Sequence, residues 1–275
     1  MNINNLIKEL ELNLVDNQQI TEACAIISKY LDSSLLAIHL YGSAVAGGLK
    51  PFSDIDLLVT IDRPMSDDVR TGLMQRFLTC SAQPGTSANK RALEVTVINY
   101  SEVVPWKYPP RREMQFGEWL RNDILKGVVE GAVLDADLCI LIKKARISSI
   151  PMVGAIASKL FVDDVPNGDF FKTLQSTLSQ WNNEEDWRGD ERNIILTIAR
   201  IWYSASTGNI GSKEEASGWL MDRIPTNHQF WLAQARRHYL DGGEGELIPS
   251  PEEMASFIKF ARGSIMIILD GRKSV

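Results

Sequence analysis

The 275 residues carry 29 Lys and Arg against 35 Asp and Glu, a formal net charge of −6, which argues against a phosphate-backbone partner and suits a cationic substrate. The length allows one large domain or two modest ones, each able to bury a core. Cys24, Cys80 and Cys139 form no Cys-x-x-Cys pair, Glu9, Glu11 and Asp16 sit where a secretory leader is apolar, and no apolar run reaches membrane length, so the expectation is a cytoplasmic protein that meets no membrane.

Leu6, Ile7, Leu10 and Leu14 have helix spacing, and a second helix is expected from about Ile20 to Leu31. From His39 to Ile61 the pattern is strand, small-residue turn, strand: an apolar run ends in Gly42-Ser43, crosses Gly47 and Gly48, and reaches Asp54-Ile55-Asp56 followed by Leu57, Leu58 and Val59. Alternate side chains of an extended chain share a face, so Asp54 and Asp56 point the same way. Two carboxylates so placed repel each other unless a cation lies between them, and hard oxygen ligands suit Mg2+. The Gly-Ser turn lets backbone N–H groups and a hydroxyl come close to a phosphate.

Ser66-Asp67-Asp68 reads as the cap of a helix through Val69 to Leu78, and Ser81 to Asn89 as a loop. Leu93 to Ile98 alternates and is rich in β-branched residues, a further strand with Glu94 exposed at its start. Glu94 is thus a third acid, able to take a proton from an attacking hydroxyl. Trp106 to Arg112, with Pro109-Pro110, is expected to be irregular. Met114, Phe116, Trp119, Leu120 and Ile124 then predict a helix from Glu113 to near Gly127, and another begins near Asp135 or Asp137.

The character of the chain changes between Val162 and Gly168. Beyond it the spacing predicts no strand and four or five amphipathic helices, over Phe170 to Trp181, Glu191 to Ser206, Lys213 to Ile224, Gln229 to Leu240 and Pro251 to about Leu269. The expected organisation is a catalytic domain over 1–164 and an all-α bundle over 165–275, with the acids facing the cleft between them. His39, His228 and His238 have no metal-ligand spacing, and Arg111-Arg112 and Arg236-Arg237 are too small for a nucleic-acid face.

The Gly-Ser turn, the Asp-x-Asp strand and the strand-borne Glu94 together resemble the nucleotidyltransferase superfamily. That resemblance implies an α+β, polymerase-β-like domain with a small mixed sheet. HLYGSAVAGGLKPFSDIDLLVT, FGEWLRNDIL and DWRGDERNIILTIARIWYSASTG, within a similarity running from about residue 30 to 262, resemble the aminoglycoside 3″(9)-adenylyltransferases that confer streptomycin and spectinomycin resistance.

The resemblance implies transfer of AMP from Mg-ATP to the 3″ hydroxyl of streptomycin and the 9 hydroxyl of spectinomycin, with release of pyrophosphate. Carried over motif by motif, Ser43 and Ser53 would contact the nucleotide phosphates, Asp54 and Asp56 would hold Mg2+ with Glu94, and Glu94 would be the general base. Arg200, Lys213 and Tyr239 would bring further ATP contacts from the helical domain. Trp119, Asp137, Trp181, Asp186 and Asp190 would meet the drug, and the Trp-x4-Asp pattern of Trp181 and Asp186 goes with streptomycin use in the family.

Read from the residues alone, Arg200 is a solvated helix arginine, Trp119 a core aromatic, Asp190 an N-cap and Trp187 structural. The rivals are a nucleotidyltransferase acting on RNA or a protein, as in toxin-antitoxin pairs, and a catalytically silent nucleotide-binding module. The acidic balance counts against RNA, and the presence of all three acids counts against silence. A site in an internal cleft needs no partner chain, so the expectation is a monomer.

Overall fold

The computed structural model describes residues 12–242 and 248–273; the expected first helix lies outside the described residues except for Leu14, which opens the helix Leu14–Leu31, expected to start only at Ile20. The chain divides into two compact units, Met1–Val165 and Pro166–Val275.

The first unit is built on a six-stranded mixed sheet. Its strands are β1 (Leu35–Tyr41), β2 (Ile55–Ile61), β3 (Leu93–Asn99), β4 (Arg111–Phe116), β5 (Val133–Leu134) and β6 (Ile150–Val153), in the order β5-β4-β3-β2-β1-β6. β2 and β3 run parallel and every other pair is antiparallel. A parallel pair needs a crossover, which α2 (Asp67–Cys80) supplies. Its N-terminus is closed as the sequence predicts, by Ser66 Oγ accepting from the Val69 N–H.

One sheet face is apolar. Ile55, Leu57, Val59 and Ile61 of β2 are buried with Leu93, Val95 and Val97 of β3 against Ile20, Ala23 and Ile27 of α1 (Leu14–Leu31) and Leu73, Met74 and Phe77 of α2. The opposite face carries the alternate residues: Tyr41 and His39 of β1, Asp56, Leu58 and Thr60 of β2, and Glu94 and Thr96 of β3. α4 (Leu138–Ile147) packs against β1, and its Lys144 ammonium lies 5.1 Å from the centre of the Tyr41 ring. Two short helices, α3 (Arg121–Leu125) and α5 (Ala157–Leu160), also belong to the unit.

The helix expected from Glu113 to Gly127 is a strand followed by a turn and a single short helix. Residues 111–116 pair with β3 so that Phe116 opposes Val95 and Met114 opposes Val97. The period-two pair Met114 and Phe116 thereby joins the apolar face, and Gly117, extended at φ −160 and ψ 160, ends the strand. The first two of its residues, Arg111 and Arg112, fall in the segment expected to be irregular.

The second unit is helical throughout its described residues: α6 (Asn167–Leu178), α7 (Glu191–Thr207), α8 (Lys213–Met221), α9 (Thr226–Asp241) and α10 (Pro251–Lys273). α7 lies in the middle, packed against the other four, because Ile194, Ile195, Ile198, Ala199, Ile201, Trp202 and Ala205 give it apolar residues on most of its circumference. It stops at Gly208, whose φ of 79 turns the chain left-handed while its N–H reaches the Ser204 carbonyl. Among the described residues no helix is long and apolar enough to cross a membrane.

Candidate active site

In the first unit the end of β1 and the starts of β2 and β3 meet. Tyr41 opposes Asp56 across the antiparallel pair, and Asp56 lies in register with Glu94 across the parallel one. Residues so matched share a face on strands ~4.8 Å apart, so the sheet itself brings Asp56 and Glu94 together. Asp54 immediately precedes β2, and all three acids are half-buried.

Gly42 opens the turn that carries Ser43. Its φ is +74, and a Cβ built there would stand 1.7 Å from Asp56 Oδ2. The Asp56 carboxylate therefore rests on the bare α-carbon of Gly42, a place that no residue with a side chain allows.

Ser53 is buried, with its hydroxyl accepting from the Lys50 N–H at 3.0 Å and its own N–H donating to the Lys50 carbonyl at 3.0 Å. This loop is fastened by Arg91. The Arg91 Nη1 donates to the carbonyls of Lys50 (2.8 Å), Ser53 (3.2 Å) and Pro51 (3.3 Å), while Nε pairs with buried Asp16 at 2.8 Å. Gln19 completes the tie, accepting from the Arg91 N–H and donating to the carbonyls of Arg91 and Cys80. The loop before Asp54 and the approach to Glu94 are thus one hydrogen-bonded body, an arrangement for which the sequence reading names no residue.

Trp119 is 59 % exposed, against the core reading of its position. Its indole lies over Gly117, where an added Cβ would come within 2.1 Å of the ring. The turn that bears it is anchored by Glu118, which receives hydrogen bonds from Arg121 and Ser81, while Arg121 also donates to the Ser81 carbonyl at 3.0 Å. Burial pushes the Glu118 carboxyl up, but the Arg121 and Ser81 hydrogen bonds outweigh it and hold the group below its ordinary range. Asp137 stands at the start of α4 with its N–H donating to Asp135 Oδ1, and its carboxylate does not cap the helix.

In the second unit Lys213 and Tyr239 are brought together, the ammonium 5.3 Å from the ring centre. Lys213 Nζ also donates to Asn193 Oδ1 at 3.3 Å, and Asn193 Nδ2 donates to Asp190 Oδ1 at 2.7 Å. Asp190 holds the N-cap position of α7, yet its carboxylate caps nothing and faces Asn193 instead. Arg200 follows Asn193 by seven residues on α7, close to two turns and hence on the same stripe. Trp181 is buried and Asp186 exposed. Asp186 Oδ2 accepts from the N–H groups of Asn182 (2.7 Å) and Asn183 (3.0 Å), closing a capping box on the turn that ends there. Trp187 is buried, in keeping with its structural reading.

Family models match two parts of the chain. Residues 24–125 match the nucleotidyltransferase domain model, and residues 159–263 match the model described as the aminoglycoside adenylyltransferase C-terminal domain. The aminoglycoside (3″)(9) adenylyltransferase of Escherichia coli is 47 % identical over 247 residues, covering 90 % of this chain and 94 % of that one. The spectinomycin 9-adenylyltransferase of Staphylococcus aureus is 37 % identical over 251 residues, covering 91 % and 95 %. Among solved structures, the spectinomycin adenyltransferase of Enterococcus faecialis with ATP and spectinomycin superposes with a TM-score of 0.83 at 29 % identity, over 90 % of this chain and 98 % of that one. With this much identity along nearly the full length of the relatives, the chain belongs to the aminoglycoside (3″)(9) adenylyltransferase family of nucleotidyltransferases.

Proposed function

We propose that this adenylyltransferase moves AMP from Mg-ATP to the 3″ hydroxyl of streptomycin and the 9 hydroxyl of spectinomycin, working as a monomer on small cationic drugs and not on nucleic acid. The register of Asp56 beside Glu94 carries the reading. The drug oxygen attacks the α-phosphorus of ATP, the bond to the bridging oxygen breaks, pyrophosphate leaves with that electron pair, and Glu94 takes the hydroxyl proton. A carboxylate in that role contributes ~10²–10⁴-fold.

The donor set fits a hard divalent cation. Asp54 and Asp56 would hold it, with Glu94 at its edge, and Mg2+ when bound would neutralise phosphate charge and polarise the phosphoryl oxygens. Among the described residues no three acid, imidazole or thiol groups are already drawn into a cage. Mg2+ typically takes one or two carboxylates and completes its shell with phosphate and water oxygens. Ser43, Ser53, Arg200, Lys213 and Tyr239 would take phosphate oxygens.

At the drug, the exposed indole of Trp119 gives a flat face for a guanidinium, and Asp137, Asp190 and Asp186 give carboxylates. Trp181 with Asp186 would be the part used by streptomycin alone. The net charge of −6 favours such cationic acceptors over RNA. Pyrophosphate release from Mg-ATP, measured with streptomycin, spectinomycin, RNA or no acceptor, is expected to depend on either drug. Release driven by RNA, or independent of any acceptor, would overturn the assignment.

A further inference from the structure

Trp181 and Asp186 belong to a short loop between α6 and α7, and that loop is held from the far end of the sequence. Arg262 on α10 donates through Nη2 to the carbonyls of Leu178 (3.1 Å) and Trp181, and through Nη1 to Asn182 Oδ1 (3.3 Å). The Leu178 carbonyl is one of those that the end of α6 leaves without an intrahelical partner. Asn182 in turn donates through Nδ2 to the Ser179 carbonyl at 2.9 Å, and its N–H donates to Asp186 Oδ2. One guanidinium thus joins the end of α6, the backbone of Trp181 and, through Asn182, the carboxylate of Asp186.

We infer that Arg262 is a positioning residue for streptomycin specificity: it fixes the Leu178–Asp186 loop so that the Trp181 indole and the Asp186 carboxylate stand together as a receptor for a guanidinium group. This rests on the proposed use of Trp181 and Asp186 by streptomycin. The hydrogen bonds found on Asp186 end on Oδ2, which leaves Oδ1 for a ligand. A planar guanidinium bonds three acceptors on a fixed fork, as no other side chain does. Its two carbonyl partners contribute no side chain, so the loop's composition can vary while its shape is kept. The hydrogen bonds found on Arg262 end on none of the residues assigned to ATP, to the metal or to proton transfer, so its effect is expected on one drug.

The test is the ratio of kcat/KM for streptomycin to kcat/KM for spectinomycin in the full-length enzyme. In Arg262→Ala this ratio is expected to fall at least about tenfold, the loss expected for removing charge-assisted hydrogen bonds, with most of the change in the KM for streptomycin. Arg262→Lys, which keeps a cation able to reach one carbonyl, is expected to recover part of it. A variant that merely folds less well loses both activities in proportion and leaves the ratio unchanged, and that result would overturn the inference. Trp181→Ala is measured alongside. A ratio lowered by Trp181→Ala but not by Arg262→Ala rejects the positioning role alone, whereas a ratio that neither moves rejects the streptomycin reading of the loop.

Discussion

Asp56 Oδ2 lies where a side chain on Gly42 would begin: a Cβ at residue 42 would stand 1.7 Å from that oxygen. The Gly42-Ser43 turn and the strand of Asp56 are therefore fitted to each other through an absent methyl group. Gly42→Ala meets two obstacles, this overlap and a left-handed φ of +74, the second alone costing about 1 kcal/mol or more. The carboxylate must move, and with it the oxygen proposed to meet the cation. The expected outcome is a loss of at least ~10² in kcat/KM for both drugs, as a small misplacement of reacting groups can produce, with the unfolding midpoint lowered by only a few degrees. Steady-state kinetics and thermal unfolding of the same preparation check this.

Asp54→Asn removes a proposed metal ligand and one negative charge while keeping the shape of the side chain. Mg-ATP affinity should fall by at least about tenfold and recover partly as Mg2+ is raised, since a weakened site is refilled by mass action. Calorimetric titration of ATP at several Mg2+ concentrations reads this out, and an affinity indifferent to both the substitution and the Mg2+ level would remove Asp54 from the metal site.

Arg91 holds the loop of Ser53 by three carbonyls and neutralises Asp16, which is buried. Removing one partner of such a pair leaves an uncompensated charge, at a cost of about 3–5 kcal/mol when both are fully buried. With Arg91 partly exposed, Arg91→Ala is expected at the lower end of that range in urea unfolding, with a raised KM for ATP in the fraction that folds. Replacing Asp16 by Asn as well should return part of the stability and none of the ATP affinity, because the carbonyl contacts stay lost.

His39 is fully buried on β1, with Nε2 2.9 Å from the Ala155 carbonyl, so that nitrogen donates and Nδ1 carries no proton. Burial lowers its pKa, and the Ala155 carbonyl only partly offsets this; burial lowers His228 as well. A histidine with a depressed folded pKa takes up its proton more readily in the unfolded chain. Between that folded value and about 6.5 the unfolded state binds more protons, so stability rises with pH there and levels off above about 7. Denaturant midpoints from pH 5 to 8 should show this slope, and His39→Gln should flatten it, leaving the part due to His228. An unchanged slope would mean that His39 keeps its ordinary pKa.

The strands that bear the three acids are legible because both signals there are local. Asp54 and Asp56 alternate with Ile55 and Leu57, and Glu94 opens a β-branched run, so the faces followed from period two alone. β4 was misread since Phe116, Leu120 and Ile124 recur every four residues, a helical period that the extended Gly117 breaks. β5 and β6 span two and four residues, too short for any period to show. Asp190 was readable as an N-cap by position, but only packing reveals that Asn193 claims its carboxylate. Arg91 and Arg262 left no trace in the sequence. Each acts on backbone carbonyls distant along the chain, 38–41 residues away for Arg91 and 81–84 for Arg262, and such contacts follow no spacing rule.

Glu94 is proposed to receive the drug's proton beside the Asp54–Asp56 pair. Single-turnover transfer of radiolabelled AMP from Mg-ATP to streptomycin and to spectinomycin, compared between the parent and Glu94→Gln with ATP binding measured on both, tests it most directly. The expected result is a rate lowered at least ~10²-fold for both drugs with ATP affinity changed by less than about tenfold. Transfer in the variant at close to the parent rate would place the base elsewhere and contradict the account.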